Sequence, residues 1–521
     1  MREFAFNLNL AESPGLTPNE ELYLSNTLEQ ATNIYKEGNT FRFLNDIKQS
    51  LPEDFNIEFP YGQFFETTEG FYLFTKDKIF SVETFTDPWT LIEEDVFDFK
   101  SDSLTTITPG NRWHFSNAGD SWFAYNGQSV VFKEKNLDSF SEDRIKVNND
   151  ITINTGTFFK GRFIMGGFNS DDLWSEEWQS LFEIWSREIN DTIDYDFNNI
   201  KQNFVFWSSV GGGDFPLWFF YPDKSLKGNA SIELLNFSDM QFSKSLFIEK
   251  LRENELGFMP MDTIGEVLSI KPLGDNLIVY TEDAVYSMSM ISSPVSDIPS
   301  TFSKTKISSL GVLSRDHICD SLSQHFYISQ SGDLMNITGE GQIQNLDYNH
   351  VIKPHLGESV SCSFDDRRNR FFISFTNFTL IITSEGITDS DVQIFDVTNR
   401  KSNMEWIVNK EPREVVIKTA PFNIAEVSSK TMTGGEIATD TDGKVECSFL
   451  YRDTLRDNFV EVMPVPINNL GYFMLRVNGT AFKFKIKIEA LSRLSLSNIR
   501  LNYQIPDRRF RRARNVNQIN S

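Results

Sequence analysis

Between Phe326 and Gly339 the chain reads FYISQSGDLMNITG. Apolar and polar residues alternate, break at Ser331-Gly332-Asp333, and alternate again. Period-two alternation predicts half-buried strands, and the break predicts a tight turn. The same build recurs in YLFTKDKIFSV (Tyr72 to Val82), WFAYNGQSVVF (Trp122 to Phe132), LIVYTEDAVYSM (Leu277 to Met288) and SFDDRRNRFFISF (Ser363 to Phe375). Strands are expected at 265–271, 276–281, 284–290, 325–330, 333–337, 359–365, 370–376 and 378–384. The Asn126-Gly127 dipeptide is a strong two-residue hairpin signal, and so is Asn478-Gly479.

Short strands joined by polar turns over some 300 residues predict a mainly β protein. The expected architecture is an irregular β-propeller core with a helical insertion, followed by a C-terminal β-sandwich or small barrel. Stacked sheets are the competing arrangement. Residues 1–60 read as a lead-in with a short helix opened by Thr17 and Pro18. The propeller-like core spans 61–410 and is interrupted at about 168–260. A C-terminal β domain spans 411–505, and 506–521 is an arginine-rich tail.

The rhythm changes at FNSDDLWSEEWQSLFEIWSREI, where Trp174, Trp178, Leu181, Trp185 and Ile189 recur every three or four residues. That spacing predicts one face of an amphipathic helix capped by Ser170 or Asp171. Three tryptophans on one stripe make Trp174, Trp178 and Trp185 candidate interface residues. A stacking platform for a sugar or a base is the other use of such a stripe. A second helix is expected near 239–253. In the tail, Arg508, Arg509, Arg511, Arg512 and Arg514 form a basic cluster suited to docking on acidic patches of a neighbouring protein.

Charge sharpens this picture. The chain of 521 residues has a formal net charge of −24, with 14 % aromatic residues and only five histidines. An acidic balance opposes tight phosphate binding but suits a wall past which DNA slides. The sequence lacks an apolar run of the ~18 residues that a spanning helix needs, so membrane insertion is not expected. The opening MREFAFNLNLAESPG does not read as a signal peptide. Cys319, Cys362 and Cys447 are too far apart for a disulfide framework or a zinc site, and Cys319 and Cys447 read as buried thiols.

Several constellations were weighed for chemistry. Asp171, Asp172, Glu176 and Glu177 beside the tryptophans have the residue types of a glycosidase pair. They also fit the acidic first turn that helices favour. GGGD at 211–214 lacks the lysine and hydroxyl of a phosphate loop. His317, His325, His350 and His355 have no metal-ligand spacing. Asp365, Asp366, Asp389 and Asp391 are carboxylates for a loop calcium, without EF-hand spacing. SNAGDSWFAYNG (Ser116 to Gly127) is a distorted version of a propeller turn motif. No catalytic, cofactor or metal set is expected.

The closing region carries a resemblance. IKTAPFNIAEVSSKTM (Ile417 to Met432), VEVMPVP, RVNGTAFKFKIK and LNYQIPDRRFRRA follow one another. Together with the upstream hairpins and Ser309-Leu310-Gly311, this region resembles virion β-propeller proteins of tailed bacteriophages, similar to the tail nozzle, or tail tube protein B, of short-tailed phages. The resemblance implies a non-enzymatic structural protein of the tail or head–tail neck, assembled in the host cytoplasm. It implies a closed homo-oligomeric ring, a hexamer, around the DNA channel. Portal, adaptor or tail ring proteins and tail fibres would be its neighbours, with phage DNA passing through unbound. A carbohydrate-binding or glycan-hydrolysing propeller is the alternative.

Overall fold

Alternation of side chains along a strand puts one set of apolar residues on each buried face, and this sequence obeys that rule almost throughout. The computed structural model describes residues 2–18, 27–52, 55–67, 70–85, 87–92, 96–98, 103–118, 121–134, 144–149, 153–168, 203–207, 257–291, 302–398, 404–422, 429–454, 456–489 and 492–505. The protein is mainly β, built from many small sheets. It folds as two units, one of residues 1–51, 363–394 and 401–521, the other of 52–362 and 395–400.

The unit of residues 52–362 holds five sheets in chain order, each an antiparallel meander of four consecutive strands. The first comprises Gln63–Glu66, Phe71–Phe74, Ile79–Val82 and Thr90–Leu91. The second comprises His114–Ala118, Ser121–Tyr125, Val130–Glu134 and Arg144–Asn148, with Val96–Asp98 added in parallel at its edge. The third is Ile153–Phe159, Arg162–Phe168, Phe204–Trp207 and Gly257–Pro260. Its last two strands come from the segment expected as an insertion. The fourth is Val267–Leu273, Asn276–Thr281, Val285–Met290 and Phe302–Ser308. The fifth is Ile318–Asp320, Gln324–Ile328, Leu334–Thr338 and Ile343–Asn345.

Consecutive sheets pack face to face through apolar layers. Phe74, Trp113, Trp122 and Val131 fill the space between the first and second. Ile164, Trp207, Ile270, Val279 and Met288 lie between the third and fourth. Tyr280, Val285, Ile318, Tyr327 and Ile337 lie between the fourth and fifth. Burial of these side chains contributes about 1.5–3 kcal/mol each.

The other unit joins the two ends of the chain. Arg2–Asn9 pairs antiparallel with Leu494–Ile505, from Arg2 opposite Ile505 to Asn9 opposite Asn498. Leu494–Ile505 also pairs with Lys430–Thr441. A second sheet contains Leu28–Thr32, Glu414–Thr419, Ala481–Glu489 and Lys444–Arg452 in that order. The two sheets meet through Phe473, from the first, and Phe484, whose rings stack with centroids 5.3 Å apart.

Ala481–Glu489 shows why alternation was informative. Phe482, Phe484, Ile486 and Ile488 are buried, while Lys483, Lys485 and Lys487 pair outside with Glu29, Glu461 and Glu414. Asn478-Gly479 corrects the expectation of a hairpin turn there. Val477–Gly479 is a strand paired with Lys430–Thr441, whereas Ala481–Glu489 pairs with the other sheet. The chain changes sheets at Thr480, whose hydroxyl donates to the Arg452 and Asp453 carbonyls at 3.1 and 2.9 Å.

Candidate functional site

The expected interface residues Trp174, Trp178, Trp185, Arg508, Arg509, Arg511, Arg512 and Arg514 lie outside the described residues. So do the acids at 171–177, the GGGD segment, the helices expected at the tryptophan stripe and near 239–253, and residues 19–26 of the helix expected to open at Thr17 and Pro18. The structure brings a different set together: charged and polar side chains at the first strands of the five sheets.

Each pair of consecutive sheets is bridged by a polar contact. Gln63 Oε1 accepts from the Trp113 backbone at 3.3 Å, joining the first sheet to the second. The Tyr125 hydroxyl donates to the Gly156 carbonyl at 3.0 Å, joining second to third. Thr155 Oγ1 accepts from the Ile270 N–H at 2.8 Å, joining third to fourth. Lys271 and Asp320 form an ion pair of 3.0 Å between fourth and fifth.

A further contact skips two sheets. His114, which opens the second sheet, meets Asp316, just ahead of the fifth, at 2.9 Å. The Arg112 carbonyl accepts from Arg315 Nη2 at 2.9 Å. Arg315 also donates to the Asn154 carbonyl at 3.4 Å, and Arg112 to that of Phe395 at 3.4 Å. Gly127 takes φ +84°, and a Cβ there would stand a tight 3.2 Å from Arg315 Nη1. The Asn126-Gly127 turn therefore bends the chain and leaves space for a guanidinium.

The electrostatics of this cluster are those of mutual neutralisation. Arg112, Arg315 and Lys271 face Asp316, Asp320 and Asp396. Burial works to raise the Asp316 pKa, but the His114 hydrogen bond and Arg315 outweigh it and hold it below the usual range. Lys271 does the same for Asp320. Burial pushes Asp396 up to about 6 despite Arg112 nearby. Burial holds His114, His317 and His325 down to about 4. His325 donates from Nε2 to the Pro272 carbonyl at 3.0 Å, which leaves Nδ1 to accept from the Tyr280 hydroxyl at 2.9 Å. Groups so enclosed and so paired fasten sheets together.

In the other unit, Asp365, Asp389 and Asp391, three of the four carboxylates that suggested a loop calcium, are held by protein donors. Asp365 binds Arg370 at 2.6 Å, and Asp389 accepts from the Ala31 N–H at 2.6 Å. Asp391 accepts from Asn33 Nδ2 at 2.6 Å. Among the described residues no group of three or more His, Cys, Asp or Glu could hold a metal ion. An open recess of about 460 Å³ is lined by Asp46, Lys48, Arg367, Arg368, Glu405 and Trp406. All three cysteines are buried and free. Among the described residues no helix is long and apolar enough to cross a membrane.

The sequence matches no family model and no curated protein. Solved structures give distant likenesses. One is PorZ, a surface component of the type-IX secretion system of Porphyromonas gingivalis, at 10 % identity and TM-score 0.33, covering 73 % of this chain and 43 % of PorZ. Another is BamB from Moraxella catarrhalis, at 8 % identity and TM-score 0.29, covering 71 % and 93 %. A third is an exo-β-1,3-galactanase from Phanerochaete chrysosporium, at 9 % identity and TM-score 0.20, covering 91 % and 96 %. This chain thus spans less than half of PorZ. At these scores no activity carries over.

Proposed function

We propose that this chain is a non-enzymatic structural protein of a phage tail or head–tail neck, in which copies close into a ring around the DNA channel. The observation that carries this reading is the meeting of His114 with Asp316. Sheets that pack side by side in order, yet touch again across a gap of two, have first strands converging on a common centre. This convergence supports the β-propeller reading, and closure of that kind would yield a stiff block with few open edges. The unit with both chain termini has two facing sheets, consistent with the expected C-terminal sandwich. The resemblance of residues 417–432, 460–466, 476–487 and 501–513 to tail nozzle proteins supports a place in the tail or head–tail neck.

The same contact bears on where DNA goes. Arg112, His114, Arg315, Asp316, Lys271 and Asp320 occupy the centre of convergence. A duplex about 20 Å across does not thread a centre occupied by paired side chains, so the conduit belongs to the ring of copies. The acidic chain suits such a wall, because phosphates gain nothing by adhering to it. Portal, adaptor or tail ring proteins are the neighbours this reading implies.

Negative-stain imaging of the purified protein, with and without portal rings, tests the reading. Closed rings with an axial opening between copies are expected. Saccharide binding or hydrolysis by particles that never form or join rings would favour the carbohydrate alternative.

A further inference from the structure

We infer that the strap from Arg456 to Arg476 is the surface by which one copy of this chain binds a second. This deepens the ring reading, on which it rests. The strap leaves the edge of one sheet and reaches the edge of the other within a single unit. Val460–Glu461 and Val465–Pro466 pair with Lys444–Arg452. Tyr472–Phe473 pairs with Lys430–Thr441.

Two independent features set the strap apart. Its residues 462–475, VMPVPINNLGYFML, contain no charged side chain, in a chain that is 23 % charged. Its apolar side chains point outward: Met463, Leu470 and Met474 are 84 %, 75 % and 86 % exposed, with Val460 and Tyr472 about half exposed. Exposed apolar groups clustered on one segment and depleted of charge have the composition of an interface core. The strap is also anchored where it needs to be. Phe473 is buried against Phe449 and Phe484, so its neighbours Tyr472 and Met474 are held outward by the alternation of the chain.

Charge selects the occupant. Copies carrying −24 each repel one another over most of their surface. An uncharged strap is where two such copies approach without that cost. Its ends are of mixed sign, with exposed Arg456, Asp457 and Glu461 at one end and exposed Arg476 at the other. In a head-to-tail contact, Arg476 of one copy meets Asp457 of the next, since Glu461 is already paired with Lys485, and such contacts form a ring where the rotation between copies closes. The span supplies roughly the 20–30 residues that one side of a standard interface uses. Pro464 and Pro466 disfavour extension by backbone pairing, so side chains make the contact.

The test compares the wild-type chain with Leu470→Asp/Met474→Asp by light scattering over a concentration series, with thermal unfolding as a check on folding. Both side chains are exposed, so the fold is expected to tolerate the change. The wild type should assemble, and the variant should need at least ~100-fold higher concentration to do so. Hydrogen exchange on the wild type gives a readout that needs no variant: assembly should slow exchange at 456–476. A variant that assembles like the wild type, or protection confined to other segments, overturns the strap and leaves the ring reading standing. Strap-dependent dimers that never close support the strap and overturn the ring. A wild type that stays at 60 kDa throughout, with and without portal rings, overturns both.

Discussion

Lys271 Nζ lies 3.0 Å from Asp320 Oδ1, and the two residues belong to the first strands of consecutive sheets. The pair is a charged stitch between those sheets. Burial pulls the Lys271 pKa down, and the Asp320 carboxylate more than offsets this. The side chains keep 19 % and 33 % of their exposure, so the pair is weaker than a fully buried one. Lys271→Met should cost about 2 kcal/mol, below the ~3–5 kcal/mol for breaking a fully buried pair. Asp320→Asn on the Lys271→Met background should recover part of it. Chemical denaturation of the wild type and these two variants measures both effects.

Acid should loosen the unit of residues 52–362. His114, His317 and His325 titrate at about 4 in the folded chain, against 6.5 when unfolded. Below about 6.5 the unfolded chain takes up protons that the folded unit refuses until about 4. Stability is therefore intact above 6.5 and falls between 6.5 and 4. Asp396 works the other way, since its folded value of about 6 lies above 3.8 and protonation favours the fold. Glu266, which burial also raises, works in the same direction as Asp396, and the three histidines against these two leave a net loss. Hydrogen exchange in segments 267–290 and 318–338 should quicken from pH 7 to pH 5. His114→Gln retains a donor for Asp316 and should flatten that dependence.

Gly311 is needed for contact distance. A Cβ at this position would lie 2.0 Å from the Glu282 carbonyl oxygen and 2.4 Å from the Asp283 nitrogen, both backbone atoms. The next residue, Val312, donates to the Thr281 carbonyl at 3.1 Å. Gly311→Ala must push the connecting segment off the turn between Asn276–Thr281 and Val285–Met290. A loss of at least ~3 kcal/mol is expected. Ser309→Ala, at an exposed neighbour, should change stability by less than ~0.5 kcal/mol. Thermal unfolding of both variants separates a backbone requirement from a general sensitivity of the loop.

How much of the fold is legible in the sequence depends on the range of the interactions. Hairpins were legible because their information is local. Thr75 to Asp77, Asn126-Gly127, Ser331 to Asp333 and Asp365 to Asn369 all fall between paired strands as the alternation predicts. Asn369 even takes the left-handed φ of 50° that asparagine tolerates. Asn478-Gly479 misled because a turn-prone dipeptide also fits a strand end, and only the separate partners of its flanks reveal the change of sheet.

Partners hundreds of residues away leave no local mark. Nothing in REFAFNLN announces that Arg2 faces Ile505. Arg112, His114, Arg315 and Asp316 read as ordinary polar positions near strand ends, and their meeting depends on how sheets stack. One signal for the strap was on the page: the charge-free run 462–475. Periodicity does not register it, because its exposed residues are apolar where alternation expects polar ones.

Arg370 should be the most sensitive charge in the unit that holds both termini. It is fully buried, and its guanidinium bonds Asp365 at 2.6 and 2.8 Å and Asp46 at 3.2 Å. The rings of Tyr35, Phe372 and Trp406 surround it, at 4.7, 5.5 and 5.8 Å from their centroids. Arg370→Met strands the buried Asp365 carboxylate and should cost about 3–5 kcal/mol. Arg370→Lys keeps the charge but loses the fork, and should recover only a minor part. Urea denaturation followed by near-ultraviolet dichroism reads the change in this aromatic cage.

The central claim is that copies of this chain close into a ring, and native mass spectrometry of the purified protein tests it most directly. The account predicts a discrete species at a fixed multiple of 60.0 kDa, with a hexamer as the expected count, persisting on dilution at about 0.15 M salt. A single species at 60.0 kDa, unchanged at high concentration and in the presence of portal rings, would contradict it.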